Sequence, residues 1–140
     1  MTRHWSEQYI GAPWRYGAAG PDAFDCWGLV RAIYAGQFGI TVDAVDIDAY
    51  RPLAVRHAFE RSDERSKWRE IHLGKALEGD VVLLSHGYHP HHVGLWLDGG
   101  GVLHAVEGAG VVFQSRQSLT LHGWNLLNAY RRMGAQCKPS

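Results

Sequence analysis

An α+β domain, with a cysteine-bearing N-terminal helix packed on a five- to six-stranded antiparallel sheet, is the fold this chain predicts. Two observations lead to it. An irregular stretch rich in Gly, Ala and Pro gives way at Cys26 to an apolar helical run. Past Gly79-Asp80, short β-type segments alternate with Gly, Pro and polar residues. At 140 residues the chain has the length of one domain that buries a single core without metals or disulfides, so residues 1–140 are read as one unit.

The elements follow in chain order. Residues Trp5 to Ile10 predict a short helix ended by Gly11-Ala12-Pro13. Gly17, Gly20 and Pro21 keep the backbone from Trp14 to Phe24 non-helical, and Asp22 or Asp25 supplies the N-cap of a helix reaching about Phe38. Leu29, Val30, Ile33 and Tyr34 form its apolar face and Gly39 ends it. Residues 42–75 read as a variable insertion: acidic turns, a helix opened by Pro52-Leu53 and running through Ala58-Phe59, and a charged run from Glu60 to Arg65 that suits a solvated face. Strands are expected at Val81 to Leu84, His92 to Leu97, Val102 to Val106, Val111 to Gln114 and Asn125 to Arg131, arranged as an antiparallel meander. A polar tail, 134–140, closes the chain.

Composition narrows the partners. Lys plus Arg and Asp plus Glu balance at 14 each, which leaves no net field to hold nucleic acid or an anionic membrane surface. The nine histidines make surface charge depend on pH below roughly 6.5. Cys26 and Cys137 are far apart in sequence and both are expected to be reduced. The start of the chain has no apolar stretch long enough for a signal peptide, and no run approaches membrane-spanning length, so a cytoplasmically synthesised, soluble product is expected.

The chemistry centres on Cys26. A thiol at the first turn of a helix faces unsatisfied backbone N–H groups and the positive end of the helix dipole, both of which favour the thiolate. Cys26 is therefore expected to react with iodoacetamide far faster than Cys137 at about pH 6.5. His92 and His104 flank Asp98-Gly99-Gly100-Gly101 and offer the base and orienting partner that a cysteine nucleophile needs. A turn centred on Asp98 makes the two histidines direct cross-strand neighbours, with Cβ atoms about 5 Å apart, and pairs Val93 with Leu103 on the opposite face. A two-residue Asp98-Gly99 turn would instead put the histidines on opposite faces.

These residues resemble the NlpC/P60 family of papain-like cysteine peptidases, which cleave peptide bonds in bacterial cell walls. Gly11-Ala12-Pro13-Trp14-Arg15-Tyr16-Gly17 is similar to the family's lead segment, and Phe24-Asp25-Cys26-Trp27-Gly28-Leu29-Val30 to its nucleophile signature. Glu78-Gly79-Asp80 resembles the family's Pro-Gly-Asp, while His92-Val93-Gly94-Leu95-Trp96-Leu97 and Leu103-His104-Ala105 resemble its two histidine strands. The resemblance implies that Cys26 is the nucleophile, His92 the general base and later acid, and His104 the residue that orients His92, with no metal or organic cofactor. It also implies hydrolysis of a peptide-stem amide of peptidoglycan, first a γ-D-glutamyl-diaminopimelate bond and second the muramoyl-L-alanine amide.

Two departures concern the substrate side. Trp14 stands where the family has a tyrosine, with Tyr16 the candidate substitute because residues two apart share a face in an extended segment. Trp27 replaces the serine after the nucleophile. Asp25, Trp14, Tyr16, Trp27 and Trp96 are accordingly the candidate substrate-binding or oxyanion residues. The Asp25-Cys26-Trp27-Gly28 form resembles members found in phage tails, which implies a peptidase at the tail tip of a virion, with tail-tip proteins as partners. The rival readings are a structural tail component with little catalysis and a thiol amidase or acyltransferase on another substrate. The imidazole-rich segment from His86 to His92 is read as a turn rather than a zinc site, because no second cluster with ligand spacing is nearby.

Overall fold

The computed structural model describes residues 4–43, 66–86 and 89–133. The helix expected from Pro52 through Phe59, the charged run Glu60 to Arg65 and the tail with Cys137 lie outside these residues.

A short 3-10 helix, Trp5–Gln8, opens the described chain, and the main helix α1 spans Cys26–Ile33. Asp25 is its N-cap: the carboxylate accepts from the Gly28 N–H at 2.6 Å and, through its second oxygen, from the Gly17 N–H at 2.8 Å. One side chain thus fixes both the helix start and the glycine-rich loop before it. A π-helical turn, Tyr34–Phe38, continues α1 until Gly39, whose φ of 67° only glycine adopts freely. At Gly28, an added Cβ would lie 2.0 Å from the Ala18 carbonyl oxygen. The loop therefore packs directly on helix backbone.

Six strands form one antiparallel sheet: β1 (Trp68–Ile71), β2 (Val81–His86), β3 (His89–Leu97), β4 (Gly101–Val106), β5 (Gly110–Ser115) and β6 (Trp124–Arg132). Their spatial order is β1-β6-β2-β3-β4-β5. The simple meander expected from the sequence holds only for β2 to β5. The chain then crosses through helix α2 (Arg116–Leu121) and returns β6 to the far side of β2. Strand β1 comes from within the stretch 42–75 and pairs with β6, Trp68 opposite Arg132.

Alternation along the strands gives the sheet two covered faces. On one, Leu29, Val30 and Ile33 of α1 pack with Val81, Leu83, Val93, Leu95, Leu97, Leu103 and Ala105. On the other, Leu119 of α2 covers Val82, Leu84, Trp96 and Val102. Asp80, wholly buried at the start of β2, accepts from Arg131 of β6 at 3.0 and 2.8 Å and from the Leu77 N–H at 2.8 Å, so its burial is compensated. Tyr34 hydroxyl donates to the Gly79 carbonyl, locking the helix to the same turn. No helix among the described residues is long and apolar enough to cross a membrane.

The β3–β4 turn corrects the expected register. Leu97 faces Gly101, Trp96 faces Val102 and Leu95 faces Leu103, so the turn is centred on Gly99 rather than Asp98. Gly99 and Gly100 both have positive φ, at 101° and 95°, which places the reversal on the glycines. Val93 therefore does not oppose Leu103. The shift is two residues, an even number, and it leaves His92 and His104 on the same face as diagonal rather than direct neighbours.

Candidate active site

Cys26 is the first residue of α1 and lies against β3 from the helix-covered face. The β3–β4 pairing stops at Leu95 and Leu103, although both strands continue. Trp96 donates its N–H to the Asp80 carbonyl on the β2 side, so by alternation the Val93 N–H points to the β4 side, where the ladder has ended. It is donated instead to the sulfur of Cys26. The split between two strands thus seats the thiol one residue from His92.

The sequence predicts a thiolate here, and the structure corrects that expectation. Cys26 is only 8% exposed. Burial, followed by the adjacent Asp25 carboxylate, pushes the thiol up to about 12, against the pull of the N–H groups of Val93, Trp27 and Cys26 itself. The helix end is present, but desolvation outweighs it. Asp25 is also raised, chiefly by burial, with the Gly28 and Gly17 N–H groups and Arg31 opposing. At rest Cys26 is a neutral thiol, and attack by its sulfur would need a base.

On the opposite face His92 has a defined partner. His92 Nε2 and His104 Nδ1 are 2.9 Å apart, and His104 Nε2 is 2.8 Å from Gln114 Oε1 on β5. Continuing the β3–β4 register by one residue sets Gly94 opposite His104, and a Cβ on Gly94 would lie 3.0 Å from His104 Cβ and 2.5 Å from Val102 Cγ1. The missing side chain is what lets the His92 ring reach diagonally across. Burial lowers His104 from 6.5 to about 4, with the Gln114 bond raising it in part, so His104 is neutral at physiological pH and can accept from His92. Trp124 touches both rings, tilted against His92 with centroids 4.7 Å apart and edge-on to His104 at 5.4 Å.

Cys26, at the Val93 N–H, and the His92–His104 pair therefore sit at neighbouring residues of β3 on the two sides of the sheet. The other candidates fall elsewhere. Asp25 is spent on capping α1 and the loop. Trp27 is 3% exposed, packs 6.2 Å from Trp68 and donates its indole N–H to the Asp43 carbonyl, so it is a core residue rather than a cleft wall. Trp96 shares the His92 face as expected but is buried with Leu84 and Val102, and Arg116 lies 5.9 Å over its ring. Trp14 is half-buried against the core, its backbone bridged to Phe24, and Tyr16 is 46% exposed.

Gln114 and Trp124 were not singled out from the sequence. Gln114 stands at the end of an expected strand, and alternation alone puts it on one face without saying which residue it meets. Trp124 precedes another expected strand, and its contact with His92 arises only because β6 returns past β2.

The NlpC/P60 family model matches residues 11–126. Over 102 residues the chain is 25% identical to a probable endopeptidase p60 of Listeria grayi, covering 73% of this chain and 17% of that protein. Among solved structures, the NlpC/p60 domain of the peptidoglycan hydrolase SagA aligns with a TM-score of 0.63 at 24% identity, over 90% of this chain and 92% of that one. RipD of Mycobacterium tuberculosis, a non-catalytic NlpC/p60 domain protein adapted to a peptidoglycan-binding function, aligns at 0.58 and 16% identity over 90% of each chain. The match begins in the loop that Asp25 ties down and ends in the strand that brings Trp124 to the histidines, and on that extent this chain belongs to the NlpC/P60 family.

Proposed function

We propose that this protein is a cysteine peptidase that hydrolyses a peptide-stem amide of bacterial peptidoglycan, with the γ-D-glutamyl-diaminopimelate bond the leading substrate. The observation that carries this reading is the 2.9 Å His92–His104 bond beside a thiol held at the Val93 N–H. The bond occupies His92 Nε2, so proton transfer falls to Nδ1. In the first step Nδ1 takes the Cys26 proton as the sulfur attacks the amide carbonyl carbon, and the Cys26 backbone N–H, at the helix start, donates to the developing oxyanion. The imidazolium then protonates the leaving amine and a thioester remains. Water attacks that thioester with His92 again as base, releasing the acid and restoring the thiol. Because the thiol is neutral at rest, deprotonation belongs to the catalytic step rather than to a preformed ion pair.

The Asp25-Cys26-Trp27-Gly28 form supports a place at the tail tip of a phage or phage-like particle, where local opening of the wall would accompany DNA entry. A second reading, a structural or wall-binding domain with little chemistry, is favoured by the raised thiol and the non-catalytic RipD relative. An amidase or acyltransferase acting on another substrate would use the same residues.

Mass spectrometry of diaminopimelate-type muropeptides, incubated with reduced wild-type protein and with Cys26→Ala, separates these. Fragments made only by the wild type establish the hydrolase, and their masses identify the bond. Intact muropeptides, from protein folded by circular dichroism, would turn the reading toward binding or another acyl substrate. Particles that carry Cys26→Ala, assemble normally and infect normally would overturn a catalytic role at the tail tip.

A further inference from the structure

We propose that Gln114 is a positioning residue that sets the tautomers of both histidines and thereby makes His92 Nδ1 the base. The inference follows from donor and acceptor counting along one chain of side chains. Gln114 Oε1 can only accept, and it faces His104 Nε2 at 2.8 Å, so the His104 proton resides on Nε2. His104 Nδ1 is then an acceptor, and the 2.9 Å contact makes His92 Nε2 the donor. A neutral imidazole carries one ring proton, so His92 Nδ1 is unprotonated and can accept a proton.

The far end of the chain contacts α2 through Ser118, whose hydroxyl can donate or accept. The Gln114 amide nitrogen donates to Ser118 Oγ at 3.1 Å, and Ser118 lies in α2, whose N-cap Ser115 accepts from the Ser118 N–H. His122 Nδ1 is 2.8 Å from the Ser118 carbonyl oxygen and donates to it, so its 3.4 Å approach to the Gln114 nitrogen brings two donors together, a contact the opposite amide orientation would relieve. Turning the amide over would reverse every bond. Its NH2 would face His104 Nε2, the His104 proton would move to Nδ1, and His92 would present a proton rather than a lone pair to the sulfur. A single amide orientation decides whether the site has a base. Gln114 sits opposite Val102 on β5, one diagonal from His104, just as His104 is one diagonal from His92. The relay runs obliquely across three strands on one face.

The activity arm of the test rests on the peptidase reading; the spectroscopic arm does not. Long-range proton–nitrogen spectra of the free protein should show Nε2–H tautomers at His104 and His92. In Gln114→Leu the His104 signal should become a tautomer mixture, and kcat should fall roughly 10-fold to 100-fold with KM unchanged, part of the 10²–10⁴ that a general base contributes. Gln114→Glu keeps an acceptor at the same place and should retain the Nε2–H tautomers and most of kcat, which a merely structural requirement for glutamine would not allow. Should Gln114→Leu fail to fold, Gln114→Glu and the wild-type spectrum still decide. An Nδ1–H tautomer at His104 in the wild type, or unchanged tautomers in folded Gln114→Leu, would overturn the proposal. Clear Nε2–H tautomers in a protein that cuts no muropeptide would uphold the relay and refute the peptidase.

Discussion

The two sides of β3 treat charge differently. On the α1 side Cys26 lies among aliphatic and aromatic side chains, and the nearest carboxylate, Asp25, opposes ionisation of the thiol. On the α2 side the sheet carries a hydrogen-bonded chain, His92 to His104 to Gln114 to Ser118, in which each side chain bonds to the next. The thiol is thus neutral in an apolar setting, and in the proposed mechanism its activation falls to a polar relay built on the other face. What joins them is a defect in the sheet, the early end of the β3–β4 ladder.

Two glycines break the two halves separately, and they predict the largest effects. Gly94→Ala drives a Cβ to 2.5 Å from Val102 Cγ1 and 2.9 Å from the Leu103 carbonyl oxygen beside His104. Muropeptide turnover should fall by about 10² or more, as for loss of a general base, with a stability loss of about 1–3 kcal/mol from overpacking. Gly28→Ala meets the Ala18 carbonyl oxygen at 2.0 Å and Asp25 Oδ1 at 2.8 Å, both fixed by the cap. It should reduce the urea midpoint more than Gly94→Ala does, because backbone and cap must both move. Equal loss of activity per unit of stability lost in the two variants would mean that the halves are not separable.

The pH dependence of stability sharpens the same contrast. His104 has its folded value lowered from 6.5 to about 4. The unfolded chain takes up that proton first, so its contribution is complete above 6.5 and is lost as pH falls toward 4, roughly 3 kcal/mol at 1.36 kcal/mol per pKa unit. Cys26 is raised from 9.0 to about 12. Its contribution is complete below 9 and is lost as pH rises toward 12, on the order of 4 kcal/mol. Urea midpoints against pH should show the alkaline loss reduced in Cys26→Ala and the acid loss retained. A Cys26→Ala profile parallel to the wild type above pH 9 would show that the thiol is not held neutral.

The Cys26 half was legible because its signals are local. An N-cap, a positive-φ glycine at the helix end and a glycine under a close backbone approach all lie between Gly17 and Gly39, and each acts on residues near it in sequence. The histidine half was legible only in parity. Alternation placed His92 and His104 on one face, but the register depended on which of Asp98, Gly99 and Gly100 turn, and the glycine φ values decided that. Gln114 and Trp124 depend on strand order. β6 follows α2 and lies beside β2, while Leu119 of α2 packs with Val82 and Val102, a long-range arrangement with no periodic trace at residue 124. The same limit explains the thiolate expectation. Dipole and N–H groups are visible in a sequence, whereas the degree of burial that overrides them is set by the whole core.

The smallest predicted effect tests that override directly. If burial and Asp25 hold the thiol neutral, iodoacetamide should modify Cys26 slowly at neutral pH, with a rate that climbs tenfold per pH unit until about 12. Asp25→Asn removes the second cause of the shift while leaving an N-capping side chain, since asparagine caps as well as aspartate. The thiol should then ionise more readily and alkylation should accelerate several-fold at any fixed pH below 12, followed by peptide mass spectrometry to separate Cys26 from Cys137. The Gly17 N–H loses its carboxylate partner in this variant, so stability should fall by about 1 kcal/mol. Rapid alkylation of wild-type Cys26 at pH 6.5 would instead mean that His92 already holds the thiol proton at rest, and the relay would then stabilise a preformed ion pair rather than create the thiolate during attack.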